Sequence, residues 1–230
     1  MGIPATTGTL RDKISEMEVG DYILGSYTNS TSYYIGSDQG TAETPFTGNT
    51  GDITGYWYYI KVDRGMLISD RVVWHTVSWD NLNTNKLIQG RPLTAKDGTQ
   101  GYIRSLTGGV AYADANENKT LDARLSIGKC FPTNNEYDKY LMGFPKELIR
   151  GGYTLDDVFH HKNLFTLTQD TTLTGTRISN SGTTENQDNT YRVARGNEYN
   201  FPIWKGLGVG KSSFAYATGG FRPVFEYKEV

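Results

Sequence analysis

Gly210-Lys211-Ser212, inside the run from Trp204 to Tyr227 "WKGLGVGKSSFAYATGGFRPVFEY", ends as a phosphate-binding loop ends. That loop needs G-x-x-x-x-G-K-[ST] between a strand and a helix, so that backbone amides curl round the phosphate and the helix N-terminus faces it. The first glycine should stand at position 205, which is Lys205, and Gly206 is one residue too close. Glycines and a proline follow where the helix should run. The spacing argues against a nucleotide.

Three other groupings could carry chemistry. Asp114, Asn116, Asn118, Thr120 and Asp122 alternate like the oxygen ligands of a calcium loop, but Lys119 holds the sharp-turn position and Leu125 that of the bidentate acid. A solvated polar loop is the expectation. His160 and His161 follow Asp156 and Asp157; neighbours point to opposite sides of a strand, or about 100° apart on a helix, so both imidazoles can hardly grip one ion. One should be packed and the other exposed. The lone Cys130 permits no intrachain disulfide and no CxxC site. Neither GxSxG nor HExxH occurs, and no acid pair is marked by its spacing. No catalytic residue, metal ligand or cofactor is nominated, and a non-enzymatic role is expected.

The composition narrows the partners. Among 230 residues, 23 are basic and 25 acidic, the formal net charge is -2, and no lysine-arginine cluster stands out, which argues against nucleic acid. No stretch approaches the ~18 apolar residues of a membrane span, and the start lacks the charged-then-apolar pattern of a signal peptide. Membrane insertion is therefore not expected, and action outside a cell would follow assembly or lysis. With 27 Gly and 16 Tyr, the apolar material is aromatic and punctuated by turns, as in short strands joined by long loops. Tyr and Trp also give wide contact area with few rotors to freeze.

Periodicity places the elements. Thr9 should cap a small amphipathic helix, "LRDKISEM", docked by Leu10, Ile14 and Met17. Strands are expected in "DYILGSYTNSTSYY", then a hairpin in which Tyr56 to Val62 and Met66 to Trp74 flank Asp63-Arg64-Gly65. Ser78 should cap a short helix carrying Trp79 and Leu82, and a strand should follow from Gly101. "ADANENKTLDARLSIGKCFP" is polar and looks inserted, and "TNNEYDKYLM" reads as an Asn-capped helix burying Tyr137, Tyr140 and Leu141. Asp156 to Thr171 fits a strand or a broken helix, while "GTRISNSGTTENQDNT" is a loop by composition. Two strands, "TYRVARG" and "GFRPVFEYKEV", close the chain, the second turning Phe221, Phe225 and Tyr227 to one face, with Pro223 at an edge or a strand start. The class is α+β, mostly short antiparallel strands with a few short helices. The expected organisation is an N-terminal arm over 1–20, a β-rich part over 21–97 and a further part over 98–230, or one continuous domain over 21–230.

Arg192, Val193, Arg195 and Gly196, followed after a loop by Gly220, Phe221 and Arg222, resemble the end of the C-type-lectin-like fold, in the branch that includes formylglycine-generating enzymes and phage tropism determinants. "NEYDKYL" resembles the helix near the front of such domains. With "SWDNLN" and "RSLTGG", the order of these motifs is similar to that in adhesin-like structural proteins of phages and prophages of Gram-positive bacteria. The resemblance implies a C-type-lectin-like C-terminal part with Arg192, Arg195, Gly196, Gly220, Phe221 and Arg222 as scaffold. It does not carry the oxidase activity, which resembles cysteine-pair chemistry, nor calcium-dependent sugar binding, whose Glu-Pro-Asn signature is missing. In the tropism determinants the intervening stretch faces the receptor, which nominates Tyr199, Phe201, Trp204, Lys205, Lys211, Ser212, Phe214 and Tyr216 as ligand-binding. The implied role is a tail-associated virion protein that binds a host cell-surface glycan or protein, contacts other virion proteins and forms a homo-oligomer. The rival roles are a collar, tail-tip or capsid-decoration subunit that uses the same surface for protein–protein contacts, and a cell-wall hydrolase with its acids on loops.

Overall fold

Asp21 decides how the chain begins. In the computed structural model, which describes residues 2–28, 32–51, 54–196 and 206–229, its carboxylate accepts the N–H groups of Thr9 at 2.7 Å and Glu18 at 3.0 Å and the Nε–H of Arg11 at 2.7 Å. The helix expected over "LRDKISEM" is replaced by β1 (Leu10–Arg11), parallel to Tyr22 and Ile23, and a single 3-10 turn at Ile14–Glu16. Acceptors remote in sequence, Asp21 and Asp97, take amides that a capped helix would have used; Asp97 binds the Ile14 N–H at 2.7 Å. Tertiary bonds override helix propensity here. Leu10, placed on the docking stripe, is 45% exposed, whereas Ile14 and Met17 are buried.

The expected strands follow as β2 (Tyr22–Thr28) and β3 (Ser32–Ile35), and then as the hairpin of β4 (Gly55–Asp63) and β5 (Met66–Ser69). Gly65 makes the hairpin turn at φ 70°, where a side chain would be strained. The second run stops at Ser69 rather than Trp74, because Asp70 and Arg71 turn inward and pair at 2.6 Å. Trp74–His75 forms a separate β6. Ser78 caps α1 (Trp79–Thr84) by accepting the Asn81 N–H at 3.1 Å, and β7 (Arg91–Thr94) and β8 (Gln100–Arg104) make the next hairpin.

The polar insert builds its own small sheet from β9 (Ala111–Ala113), β10 (Lys119–Thr120) and β11 (Cys130–Phe131). The helix expected in "TNNEYDKYLM" is a π-helix confined to Tyr137–Met142, entered where the Asn135 side chain accepts the Asp138 N–H at 3.0 Å. The ambiguous stretch is part helix and part strand: α2 (Leu155–Phe159), held by a Thr154–Asp157 capping box, and β12 (Phe165–Thr171). "GTRISNSGTTENQDNT" corrects its loop assignment with a hairpin of β13 (Gly175–Ile178) and β14 (Thr184–Gln187). Polar pairs directly across the strands hold it, Thr176 with Asn186 at 2.7 Å and Arg177 with Glu185 at 2.6 Å, so apolar alternation is not needed. The chain ends with β15 (Tyr191–Gly196), β16 (Leu207–Lys211), β17 (Gly219–Phe221) and β18 (Val224–Tyr227).

Two sheets carry the molecule. The larger has the order β1-β2-β4-β5-β18-β8-β7, with β3 also on β2, and it curls until Arg91 stacks on Tyr33 at 5.1 Å and the Lys96 N–H meets the Ile35 carbonyl at 3.0 Å. Its concave face buries Tyr27, Tyr33, Trp57, Tyr59, Leu67 and Phe225. The alternate positions, Tyr22, Ile60, Ile68 and Val224, pack outward under the π-helix and α2 through Leu141, Phe144, Val158 and Phe159. β18 pairs with both β5 and β8, so strands from the two ends of the chain share this sheet. The second sheet has the order β16-β15-β12-β17-β6. The closing run therefore changes sheets at Arg222-Pro223, and Pro223 stands immediately before β18. Strands dominate and the helices are few and short, as in an α+β or mostly-β class. Among the described residues no helix is long and apolar enough to cross a membrane.

Candidate functional site

β16 pairs along β15 from Arg195↔Leu207 to Tyr191↔Lys211, so the segment carrying Gly-Lys-Ser is a sheet strand rather than the loop expected there. No helix follows it: Ser212 turns back through its N–H to the Thr190 carbonyl at 2.8 Å. Gly208 and Gly210 allow aromatic rings to lie on the strand backbone. A Cβ at Gly208 would stand 2.6 Å from a Phe165 ring carbon, and one at Gly210 would stand 2.4 Å from Tyr216 Cε2.

A cleft of about 160 Å³ opens beside these glycines. Phe165 and Tyr216 line it, and Phe214 lies 4.6 Å from Tyr216, centroid to centroid, with the two rings 59% and 37% exposed. The opposite wall is Trp79, fixed by its indole N–H to the Thr168 carbonyl at 2.9 Å and covered by the Arg192 guanidinium 4.4 Å above its ring. Arg192 donates to the carbonyls of Asn189 and Tyr191 at 2.7 and 3.1 Å, as a scaffold arginine would, yet it also lines the cleft. Lys211 adds a second cation and Arg177 a third, the last paired with Glu185. The cleft thus offers aromatic faces for flat apolar rings and guanidinium and ammonium groups for anionic oxygen.

Of the nominated ligand-binding residues, Lys211, Phe214 and Tyr216 come together at this cleft. Ser212 stands beside it but is committed to fastening: its hydroxyl donates to Asp80 at 3.2 Å and its carbonyl accepts the Asp80 N–H at 3.0 Å. Tyr199, Phe201, Trp204 and Lys205 lie outside the described residues. Trp79, Phe165 and Arg177 were not singled out as site residues, because contacts between distant segments bring them in: β12 pairing places Phe165, the indole bond to the Thr168 carbonyl places Trp79, and a bond to the Leu207 carbonyl places Arg177.

The scaffold positions form a buried brace behind the cleft. Arg195, 1% exposed, forks onto Asp138 at 2.7 and 3.1 Å and donates to the carbonyls of Gly108 at 2.7 Å and Gly206 at 3.2 Å. Burial pulls its pKa down, but Cys130 and Asp138 push it up further, so the net direction is upward. Arg222 donates to Thr166 Oγ1 at 3.0 Å in the second sheet and to the Ser69 carbonyl at 2.8 Å in the first, tying the sheets where the chain crosses. Burial pulls its guanidinium down to about 10. Gly196, at φ 96°, passes so close to the His161 carbonyl that a Cβ would lie 2.5 Å away. Gly220 lies tight under the Trp74 carbonyl, and Phe221 is fully buried.

The remaining groupings are occupied structurally. Asp114 Oδ1 accepts the N–H groups of Asn116 and Asn118, each at 2.9 Å, and Asp122 pairs with Arg124 at 2.6 Å. His161 is buried, and His160, half-buried rather than exposed, stacks on Phe46 at 3.7 Å; burial pulls both imidazoles down to about 4. Among the described residues no three His, Cys, Asp or Glu side chains gather to hold a metal. Burial pushes the Cys130 thiol up to about 12, which leaves it protonated and unreactive. No family model, no curated protein and no solved structure matches this chain.

Proposed function

We propose that the chain is a non-enzymatic phage virion protein, with a C-type-lectin-like C-terminal part, that attaches to the host cell surface through the β15–β16 cleft. The observation that carries this reading is the exposed Phe214–Tyr216 pair, just past β16, beside Lys211 and the Arg192-capped Trp79, with the Tyr216 ring seated against Gly210. Exposed aromatic rings stack on sugar faces, and adjacent cations attract phosphate or carboxylate groups of a surface polymer. A cleft this small binds weakly alone, so display on a homo-oligomer assembled with other virion proteins would supply avidity.

The test is binding of the purified chain, displayed on beads, to intact Gram-positive cells and their isolated wall polymers. The double variant Phe214→Ala, Tyr216→Ala should lose retention on cells while keeping its thermal midpoint, since both rings stand at the surface. Retention equal to that of the parent would refute the assignment. A structural subunit of the particle is the second reading, favoured by Leu125 and Ile127, which stand 59% and 46% exposed on one segment that does not line the cleft. Assembly into particles lost on Leu125→Ser, Ile127→Ser, with cell binding unchanged, would select that role.

A further inference from the structure

The outward face of the large sheet is closed over β2, β4 and β5 but changes character further round. On β18, β8 and β7 the cross-strand registers set Glu226, Tyr102 and Pro92 in one row and Gln100 beside Thr94 in the next. These positions replace the apolar set with a polar one. A trough of about 950 Å³ opens over them, with Gln89 and Lys228 also lining it. That is near the upper end of the roughly 300–1,000 Å³ typical of ligand clefts.

Two features make this trough a built surface. Tyr102 stands 54% exposed in it, the position of a stacking platform rather than a core ring. Glu226 is aimed by a relay: its Oε2 accepts the Arg104 Nε–H at 2.7 Å, and Arg104 is gripped from behind by both Glu136 oxygens at 2.6 and 2.8 Å. One carboxylate oxygen is thereby fixed, and Oε1 has no partner among the described residues. The arginine is 7% exposed, so the relay is rigid.

The chemistry selects the ligand. Arg104 and Lys228 balance Glu226 and Glu136, so the trough has no net sign to attract a polyanion or a polycation. The amides of Gln89 and Gln100, the Thr94 hydroxyl and the oriented carboxylate form an array of donors and acceptors suited to vicinal hydroxyl groups. Pro92 removes an N–H from β7, which blunts that edge against a peptide adding as a further strand. We infer that this trough is a second ligand site, independent of the β15–β16 cleft, that takes a neutral oligosaccharide with a pyranose ring stacked on Tyr102 and its hydroxyls bonded to Glu226 and the two glutamines.

The experiment is an NMR titration of the full chain with malto-, cello- and chito-hexaose and a neutral mannan fragment. At least one should shift the resonances of Tyr102 and its neighbours saturably. Tyr102→Ala and Glu226→Gln should each weaken that binding by at least about tenfold, with unchanged thermal midpoints, while Phe214→Ala, Tyr216→Ala leaves it intact. Absence of saturable shifts with the whole set, or binding that survives both trough variants, overturns the inference. Loss through the cleft variant alone also overturns it, without touching the attachment role proposed for the cleft.

Discussion

Two arginines of β15, three residues apart, stand in different surroundings. Arg195 is sealed in the brace, with its fork on Asp138 and two backbone carbonyls completing its bonds. Arg192, half-buried, caps Trp79 at the cleft and spends Nη1 on the carbonyls of Asn189 and Tyr191. A fully satisfied buried charge fixes geometry and has nothing left for a ligand. A partly exposed charge at a cleft wall is within reach of a ligand, so the brace and the cleft are adjacent parts with separate duties.

The largest effect should come from breaking the brace. Asp138 accepts from Arg195, from the Cys130 N–H at 2.8 Å and from the Asn135 amide at 2.7 Å, all in the interior. Asp138→Ala leaves a buried guanidinium uncompensated, which costs about 3–5 kcal/mol. Asp80→Ala, which severs the exposed bond to Ser212 beside the cleft, should cost under about 1 kcal/mol. Urea denaturation monitored by tryptophan fluorescence reads both, and equal losses would erase the distinction between the two regions.

Acid should weaken the side of the molecule that holds α2. His160 and His161 both have folded-state pKa values near 4, drawn down by burial, with Asp70, Asp156, Arg71 and Arg222 around them. As pH falls below the unfolded value of about 6.5, the unfolded chain takes up protons that the folded chain refuses until about 4. Stability is therefore lost across that window, by about 3 kcal/mol for each imidazole. His160 sits at φ 46°, so His160→Asn keeps a residue that tolerates the left-handed backbone. That variant should flatten the fall in urea midpoint between pH 6.5 and 4 by about half. An unchanged slope would assign the acid sensitivity to other groups.

Legibility in the sequence followed the range of the deciding interaction. The Asp63-Arg64-Gly65 turn, the Ser78 cap and the alternation of Phe225 and Tyr227 rest on neighbours within a few residues, and each was readable; that Phe221 belongs to a separate strand in the other sheet was not, because distant β6 and β12 set it. The N-terminal helix failed because Asp21 and Asp97 reach back to its amides from beyond the segment. The β13–β14 hairpin was hidden because polar cross-strand pairs hold it and leave no apolar rhythm. At the site, Lys211, Phe214 and Tyr216 were found from one segment, but Phe165 joins them only through sheet pairing and Trp79 only through its bond from α1 to the Thr168 carbonyl, and Arg192 was assigned to the scaffold alone. The polar trough was equally invisible, since Tyr102, Thr94 and Glu226 become neighbours only by strand register.

Glycines separate the rigid frame from the adaptable surface most finely. At Gly220 a Cβ would lie 2.0 Å from the Trp74 carbonyl oxygen, a backbone atom locked in the β17–β6 pairing, so Gly220→Ala must push two strands apart. At Gly210 the nearest atoms belong to the Tyr216 ring, which is partly in solvent and can swing outward. Gly220→Ala should therefore cost about 3 kcal/mol and Gly210→Ala under about 1 kcal/mol, the second lowering the thermal midpoint by no more than about 4 °C. The smaller change is the more informative one for function. It leaves both aromatic side chains present and moves only the Tyr216 ring, so weakened cell retention at nearly full stability would show that the cleft depends on the seating of that ring against Gly210 rather than on apolar area alone. Retention at the parental level would mean that the glycine serves strand packing and that the ring finds its ligand from either position.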